Sequence, residues 1–106
     1  MQREEMERIF CWKIGAELKG FQYCMMQKSK EEIFSSAYQI DCMVRIYELL
    51  AEISQKMEVA QMQKCMEISS LLAFLYERWL KTQDTQTLEL EEVIQAVLND
   101  MSLEVA

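Results

Sequence analysis

The chain has 106 residues, of which 51% are apolar and 27% charged, and 18 acidic residues against 11 basic ones give a net charge of -7. This composition excludes intrinsic disorder. No uncharged apolar run approaches the ~18 residues of a membrane span, and the acidity argues against direct nucleic-acid binding. Because there is no His, the commonest general base and neutral metal ligand are missing, so we predict no catalytic residue, metal or cofactor.

Helix-forming residues dominate the sequence, which contains no Pro and only two Gly. Tight hairpin turns and sustained period-2 alternation are absent, so strand signals are weak. The pattern predicts an all-α fold, in which three long helices and a short C-terminal helix form one compact bundle over residues 1–106. The charged N-terminus has no apolar h-region, so we expect no secretory signal and a cytoplasmic location.

The first predicted helix spans residues 3–27. Its apolar residues recur every three or four positions, as expected for a stripe that faces a core, and they are Met6, Phe10, Ile14, Leu18, Phe21 and Met25. Gly15 and Gly20 lie inside this helix, and each lowers helix stability by up to ~1 kcal/mol relative to Ala. They predict either a close approach by a neighbouring element or a kink near Gly20.

The second predicted helix spans residues 30–54 and begins with a capping-box pattern, because Ser29 is followed three positions later by Glu32. Its main stripe, expected to face the core, is Ile33, Ala37, Ile40, Val44, Tyr47 and Ala51. The break that follows, near residues 55–58, contains no Gly or Pro. Continuity between the second and third helices therefore stays open as an alternative.

The third predicted helix spans residues 58–81 and is apolar almost all round between 68 and 80, which is typical of a central helix. A polar loop over residues 81–87 follows, and Asp84, Thr85 or Thr87 is expected to cap the fourth helix, residues 88–101. The inward residues of the fourth helix are predicted to be Leu88, Val93, Ile94, Val97, Leu98 and Met101.

The four cysteines, at positions 11, 24, 42 and 65, lie inside these apolar helical patterns and include no C-x-x-C pair. We expect them to pack as small apolar side chains in a reducing compartment rather than to form disulfides or a zinc site.

A second apolar stripe follows the first two helices. On the first helix it contains Ile9, Trp12, Ala16, Gly20 and Tyr23, and on the second it contains Tyr38, Cys42, Ile46, Leu49 and Ile53. A monomer of this length cannot bury both faces of each helix. We therefore predict a partner interface formed by Ile9, Trp12, Tyr23, Tyr38, Ile46, Leu49 and Ile53.

Three covers for these stripes stay open: a second copy of the chain, a different protein anchored on exposed aromatic residues, or a fold in which every helix is sandwiched. A homodimer is the expectation, since closed symmetric dimers are the commonest oligomers. Lipid is disfavoured because the stripes lack the basic border of membrane-surface helices.

The last quarter of the chain carries almost all of the net charge. Residues 82–106 contain six acidic residues and no basic one, and we predict that they form an acidic surface of Asp84, Glu89, Glu91, Glu92, Asp100 and Glu104. Such a surface is either a solvated face or a steering surface for a partner protein with a basic surface. The partner in the second case is a larger protein, such as an enzyme with a nucleic-acid groove.

Two short segments resemble a known but uncharacterised family. Residues 36–40 read S-A-Y-Q-I and residues 75–80 read L-Y-E-R-W-L. Over roughly residues 30–95 they are similar to short helical proteins of gut bacteria and their mobile elements. The resemblance implies a small non-enzymatic protein that binds, and inhibits or adapts, a larger machine. In size and charge the chain is also similar to phage-encoded anti-CRISPR inhibitors.

These observations predict a non-enzymatic protein-binding module that inhibits or adapts a larger protein through an acidic surface. The alternative is a homo-oligomeric structural or regulatory subunit whose apolar helix faces serve self-assembly.

Overall fold

Six helices make up the part of the chain that a computed structural model describes, residues 2–82 and 89–104, with side chains for 2–82 and 89–100. They are α1 (Arg3–Met26), α2 (Lys30–Ser35), α3 (Ala37–Ile53), α4 (Val59–Glu67), α5 (Leu71–Thr82) and α6 (Leu90–Glu104). Since these residues include no strand, the all-α prediction is confirmed. The finer prediction of three long helices and a short fourth is wrong.

Helix α1 matches its predicted bounds and orientation. Met6, Phe10, Ile14 and Met25 are buried, and the other two residues of the predicted stripe pack against the core. The chain runs through both glycines as one helix of 24 residues. A Cβ at Gly15 would lie 4.0 Å from Cε1 of Tyr47, which is ordinary contact, so a neighbour approaches α1 there.

The second predicted helix is two helices, because the backbone turns at Ser36 (φ -98°, ψ 10°). Ser29 caps α2 as predicted, since its Oγ accepts a hydrogen bond from the Glu32 N–H at 3.2 Å. The Ser35 hydroxyl donates to the Glu32 carbonyl at 3.0 Å. Side-chain hydrogen bonds of this kind compete with the helical ladder, which accounts for the interruption at two consecutive serines.

The third predicted helix is also two helices. Ile68 has an extended backbone (φ -89°, ψ 117°) and ends α4, and the two serines that follow it form a turn before α5. Helix α5 packs against α1, α3 and α6, so the apolar segment lies among other helices as predicted. Leu71, Leu72 and Leu75 bury its inner face.

The break between α3 and α4 occurs at residues 54–58, near its predicted position. Gln61 closes the start of α4, because its Oε1 accepts from the Glu58 N–H at 3.1 Å. The Nε2 of the same side chain donates to the Leu98 carbonyl at 3.2 Å and so ties α4 to α6. A Glu-x-x-Gln capping box therefore marks a helix start that neither Gly nor Pro announces.

The stripe predicted to face inward on α3 is not the one that forms the core. Cys42, Met43, Ile46 and Leu50 are buried, whereas Ala37 is exposed and the other members of the predicted stripe are partly exposed. The charged residues of α3 recur at helical spacing on one face, at positions 41, 45, 48 and 52. At 100° per residue the buried set lies opposite these charges, since charged side chains stay in water.

Helix α6 starts at Leu90 and ends at Glu104, so it lies two to three residues later than predicted. Leu90, Val93, Ile94 and Leu98 are buried, and Val97 packs against the core. The predicted loop over residues 83–87, with its candidate caps, and Leu88 lie outside the described residues. So does the side chain of Met101.

Candidate protein-interaction surfaces

A groove between α3 and the start of α6 is lined mainly by carboxylates. Its walls are formed by Arg45, Glu48, Leu49, Glu52, Glu89, Leu90 and Glu91, and its volume is about 280 Å³. We call it the acidic groove. The four glutamates outnumber the single arginine, and all four are exposed.

Two separate features of the sequence produce the acidic groove. Glu48 and Glu52 are four positions apart and therefore lie one turn apart on the outer face of α3. Glu91 lies in the first turn of α6, where a carboxylate interacts favourably with the positive end of the helix dipole. Because α3 packs against α6, and Leu50 and Leu90 are both buried in the core, the two carboxylate pairs share one concave surface. This shape can accept a basic segment of a partner.

The acidic surface predicted from the last quarter of the chain is only partly one surface. Glu89 and Glu91 line the acidic groove, and Glu92 is exposed beside them. Asp100 lies at the far end of α6, about 15 Å along the helix axis, in grooves that also contain Lys64 and Arg78. Asp84 and the side chain of Glu104 lie outside the described residues.

Sequence reasoning missed the contribution of α3 to this groove. Glu48 and Glu52 were visible as a carboxylate pair at helical spacing, but such pairs are usually solvated surface. Only their position beside the start of α6 distinguishes them from other exposed pairs. The sequence feature that could have revealed this contribution is the charged face of α3, which also marks the side of that helix that points away from the core.

The predicted partner interface is divided by the fold. Ile9, Trp12 and Tyr23 lie along one outer face of α1, with Trp12 73% and Tyr23 68% exposed. Tyr38 is half-exposed at the start of α3, and its hydroxyl accepts a hydrogen bond from Nε1 of Trp79 on α5 at 2.9 Å. Trp12 and Tyr23 therefore remain available, while Tyr38 is already bonded within the chain.

The expectation of an uncovered face is wrong for Ile46, while Leu49 and Ile53 keep part of their surface exposed. Ile46 is fully buried in the core, and Leu49 and Ile53 are partly buried and packed against it. Helix α5 meets α3 on this side, where Tyr38 bonds to Trp79, and Leu49 lines the acidic groove between α3 and α6. The surplus of apolar surface is therefore smaller than predicted and is concentrated on α1.

Two strongly exposed apolar residues fall outside both predicted stripes. Phe34 on α2 is 83% exposed and Met26 at the end of α1 is 75% exposed. Helix α2 buries none of its six residues, and its main packing partner is α3. Phe34 could have been noticed as an aromatic residue that belongs to neither stripe.

The four cysteines are free thiols in two environments. Cys42 and Cys65 are buried, as expected of small apolar side chains, but Cys11 and Cys24 are exposed, and for these two the packing expectation is wrong. Cys11 Sγ lies 3.7 Å from Oγ of Ser54, and Cys24 lines a groove with residues of α3 and α5. Burial raises the pKa of Cys65 from 9.0 to about 12, Lys13 partly offsets this rise, and Glu17 adds to it.

The second perturbed group is the phenol of Tyr76 on α5. Burial raises the pKa of Tyr76, and Cys42 and Tyr38 add to the rise. The perturbed groups are thus a thiol and a phenol that stay neutral at physiological pH. Within residues 2–82 and 89–100, no three Cys, Asp or Glu side chains lie together in a way that could hold a metal ion, the acidic groove included.

None of the described helices is both long and apolar enough to cross a membrane. Comparison with protein-family models, curated proteins and solved structures finds no match to this chain.

Proposed function

We propose that this protein is a non-enzymatic binding module that inhibits or adapts a larger protein with a basic surface. The observation that supports this proposal is the acidic groove, in which Glu48 and Glu52 of α3 face Glu89, just before α6, and Glu91, in its first turn, with Leu49 and Leu90 between them. A concave acidic surface with an apolar floor fits a basic segment whose aliphatic stems contact the floor and whose cationic groups meet the rim.

The electrostatic part of this interaction acts mainly on the rate of association. Each exposed carboxylate contributes only about 1 kcal/mol to a contact at 4 Å in water. Several carboxylates of one sign in a cleft nevertheless raise the local concentration of a cationic partner and speed its capture. The effect weakens as salt screens charges beyond about 8 Å at physiological ionic strength.

The proposed partner is a protein with a basic surface that normally holds nucleic acid, because such a surface is complementary in charge to this groove. The protein itself would make no contact with nucleic acid. An inhibitor of the anti-CRISPR type, acting on a nuclease, is the specific form that we propose. It agrees with the small size, the net charge of -7 and the resemblance to short proteins of mobile elements.

The general proposal is tested by capture of partners on immobilised protein. Wild type is compared with the double variant Glu48→Lys, Glu52→Lys and with a control of equal charge change, Glu31→Lys, Glu77→Lys, on exposed positions of α2 and α5. We expect wild type and control to retain the same protein from an extract of the native host, and the groove variant to lose it. Retention by all three would contradict a role for the groove.

The nuclease form of the proposal has its own assay. A purified CRISPR nuclease with its guide RNA is incubated with excess wild-type protein, and cleavage of a target DNA is measured. Inhibition that the groove variant loses and the Glu31→Lys, Glu77→Lys control keeps would support this form. Unchanged cleavage by nucleases of the native host would refute the nuclease form of the proposal. The general proposal, binding to a larger protein with a basic surface, would then be decided by the capture experiment.

The second candidate function is a homo-oligomeric structural or regulatory subunit. The observation that favours it is the exposed apolar face of α1, which the fold leaves without a covering helix. A self-assembling subunit would form oligomers without any other protein. The groove variant would leave this assembly unchanged, which separates the two functions.

A further inference from the structure

Helix α6 carries one wall of the acidic groove, but the helix that carries the other wall, α3, does little to hold it in place. Helix α6 packs mainly against α4 and α5 and more lightly against α3. The relative position of the two walls is therefore set largely by the contacts of α6 with α4 and α5.

Apolar packing holds α6 in the core without selecting one placement along and about its axis. The side chains that α6 buries are Leu90, Val93, Ile94 and Leu98, and those that α5 buries are all leucines. The hydrophobic effect depends on the area buried and has no direction, so it opposes removal of α6 more strongly than a rotation or a slip. A directional contact adds a preference for one placement.

Gln61 on α4 makes a directional contact of this kind. The residue is 8% exposed, and its Nε2 donates to the Leu98 carbonyl at 3.2 Å and to Oδ1 of Asn99 at 3.3 Å. Its Oε1 accepts from the Glu58 N–H at 3.1 Å, which fixes the amide from the α4 side. A buried amide whose nitrogen and oxygen are both bonded holds its partners in one arrangement.

A constraint at Leu98 also acts on the acidic end of the same helix. Glu91 lies seven positions earlier, about 10 Å along the axis, and the two residues belong to one continuous helix. A rotation of α6 by the angle between adjacent residues, about 100°, would carry Glu91 away from the side that lines the groove with α3. Fixing Leu98 against α4 therefore fixes the direction of Glu91 as well.

We propose that Gln61 is a positioning residue of the acidic groove. Its amide sets the rotation and the axial position of α6 against α4, and so holds the carboxylates of Glu89 and Glu91 opposite the charged face of α3. Gln61 contacts no partner itself, since it is buried between α4 and α6. The value of this placement for partner capture rests on the proposed function, but the placement is measurable without a partner.

The position of α6 relative to α3 is measured as the distance between two nitroxide labels by pulsed electron paramagnetic resonance. The labels are attached at the exposed positions of Asp41→Cys and Glu92→Cys. The two exposed native thiols are first removed as Cys11→Ser and Cys24→Ser, and the two buried thiols are left in place. Circular dichroism checks that each variant keeps its helix content.

Two substitutions remove the hydrogen bonds that Gln61 donates to α6. Gln61→Met leaves no polar group, whereas Gln61→Glu keeps an oxygen for the Glu58 N–H but has no N–H to donate at neutral pH. Both are expected to shift or broaden the label distance by several ångströms, since side chains lie about 5–6 Å from the axis of a rotating helix. The control, Glu17→Ala, removes a hydrogen bond at the start of α5 and is expected to keep the wild-type distance.

An unchanged distance in either Gln61 variant would overturn the proposal. An equal change in Glu17→Ala would also overturn it, because the effect of Gln61 would then be one of general destabilisation.

Partner capture is a separate readout that uses the same variants. If wild type binds a basic partner, Gln61→Met is expected to associate at least about threefold more slowly at low salt, although every carboxylate of the groove is present. A changed label distance with an unchanged association rate would contradict the proposed function of the groove and would support the placement of α6 by Gln61. Failure of the two proposals is therefore distinguishable.

Discussion

The carboxylate of Glu17 accepts a hydrogen bond from the backbone N–H of Leu72 at 2.9 Å, and it does so across 55 positions of sequence. Leu72 lies in the first turn of α5, where backbone N–H groups have no partner within the helix. The other oxygen of Glu17 pairs with the ammonium of Lys13 on the same helix. One side chain of α1 therefore caps the start of a helix that the sequence does not announce.

Replacing Glu17 by Ala is expected to lower the free energy of unfolding by about 1–3 kcal/mol, because a partly buried N–H and the Lys13 ammonium lose their partner. For a chain of this size each kcal/mol lowers Tm by about 4–8 °C. Glu17→Gln should cost less, since an amide oxygen still accepts from Leu72. Urea denaturation at neutral pH measures all three proteins.

The control for this series is Glu77→Ala, which removes an exposed carboxylate from the same helix that Glu17 caps. An exposed substitution of this kind normally changes stability by less than about 0.5 kcal/mol. If Glu17→Ala and Glu77→Ala were equally mild, the bond between Glu17 and Leu72 would not stabilise the start of α5.

Thiol titration should divide the four cysteines into two pairs. A disulfide reagent of the Ellman type is expected to react rapidly with exposed Cys11 and Cys24, and slowly with buried Cys42 and Cys65. In denaturant all four should react at one rate. Rapid reaction of three or four thiols in the native protein would show that the core opens far more readily than its packing indicates.

Alkaline pH should destabilise the protein through Cys65. The pKa of this thiol is about 12 in the folded protein, against 9.0 for an ordinary thiol. Well below pH 9 the thiol is protonated in both the folded and the unfolded state, so it has no effect on the pH dependence of stability there. Above pH 9 the unfolded state loses a proton that the folded state keeps. The free energy of unfolding then falls by up to about 1.4 kcal/mol per pH unit until the folded thiol also ionises.

Urea denaturation at about pH 8 and about pH 10 measures this loss, and Cys65→Ala provides the comparison. The variant should be less stable at both pH values because it leaves a cavity, but its alkaline loss should be smaller. Tyr76, whose pKa is also raised, contributes equally to both proteins. Identical alkaline losses would contradict the role given to Cys65.

Hydrophobic periodicity predicts well those helices whose bounds are determined by residues within them. Helix α1 has a clear apolar stripe and keeps its predicted bounds, and Ser29 caps α2 through its own hydroxyl. In both cases the side chains that fix the element lie within it. Local sequence is sufficient for such elements.

The break at Ser36 follows from local serine hydrogen bonds, but the other two breaks that sequence reasoning missed or left open involve tertiary contacts. Glu17 caps the start of α5, and Arg3 donates from Nη2 to the carbonyl of Gln55 at 3.2 Å, just beyond the end of α3. Both groups belong to α1 and lie more than fifty positions from the helix end that they satisfy. Local sequence can mark a helix start, as the Glu58–Gln61 capping box does for α4, but it does not show which distant side chain satisfies a helix end.

The candidate surfaces were also predictable to different extents, depending on whether they require contacts between distant parts of the chain. Trp12 and Tyr23 are exposed as predicted because nothing packs on that side of α1. On α3 two apolar stripes flank the charged face, and the buried residues lie between them, since Cys42 and Ile46 belong to the second stripe and Met43 and Leu50 to neither. Which side of α3 enters the core depends on the helices that pack against it. The pairing of Glu48 with Glu91 in one groove also depends on how α3 meets α6.

The central claim, that the acidic groove captures a basic partner, is tested most directly by the association rate of the purified complex as a function of salt. Ionic strength is raised from about 0.01 M to about 0.15 M, which shortens the screening length from about 30 Å to about 8 Å. For wild type and for Glu31→Lys, Glu77→Lys we expect the rate to fall at least about tenfold. The Glu48→Lys, Glu52→Lys variant should associate slowly at low salt and show little further dependence on salt. Equal rates for wild type and this groove variant at both ionic strengths would contradict the account.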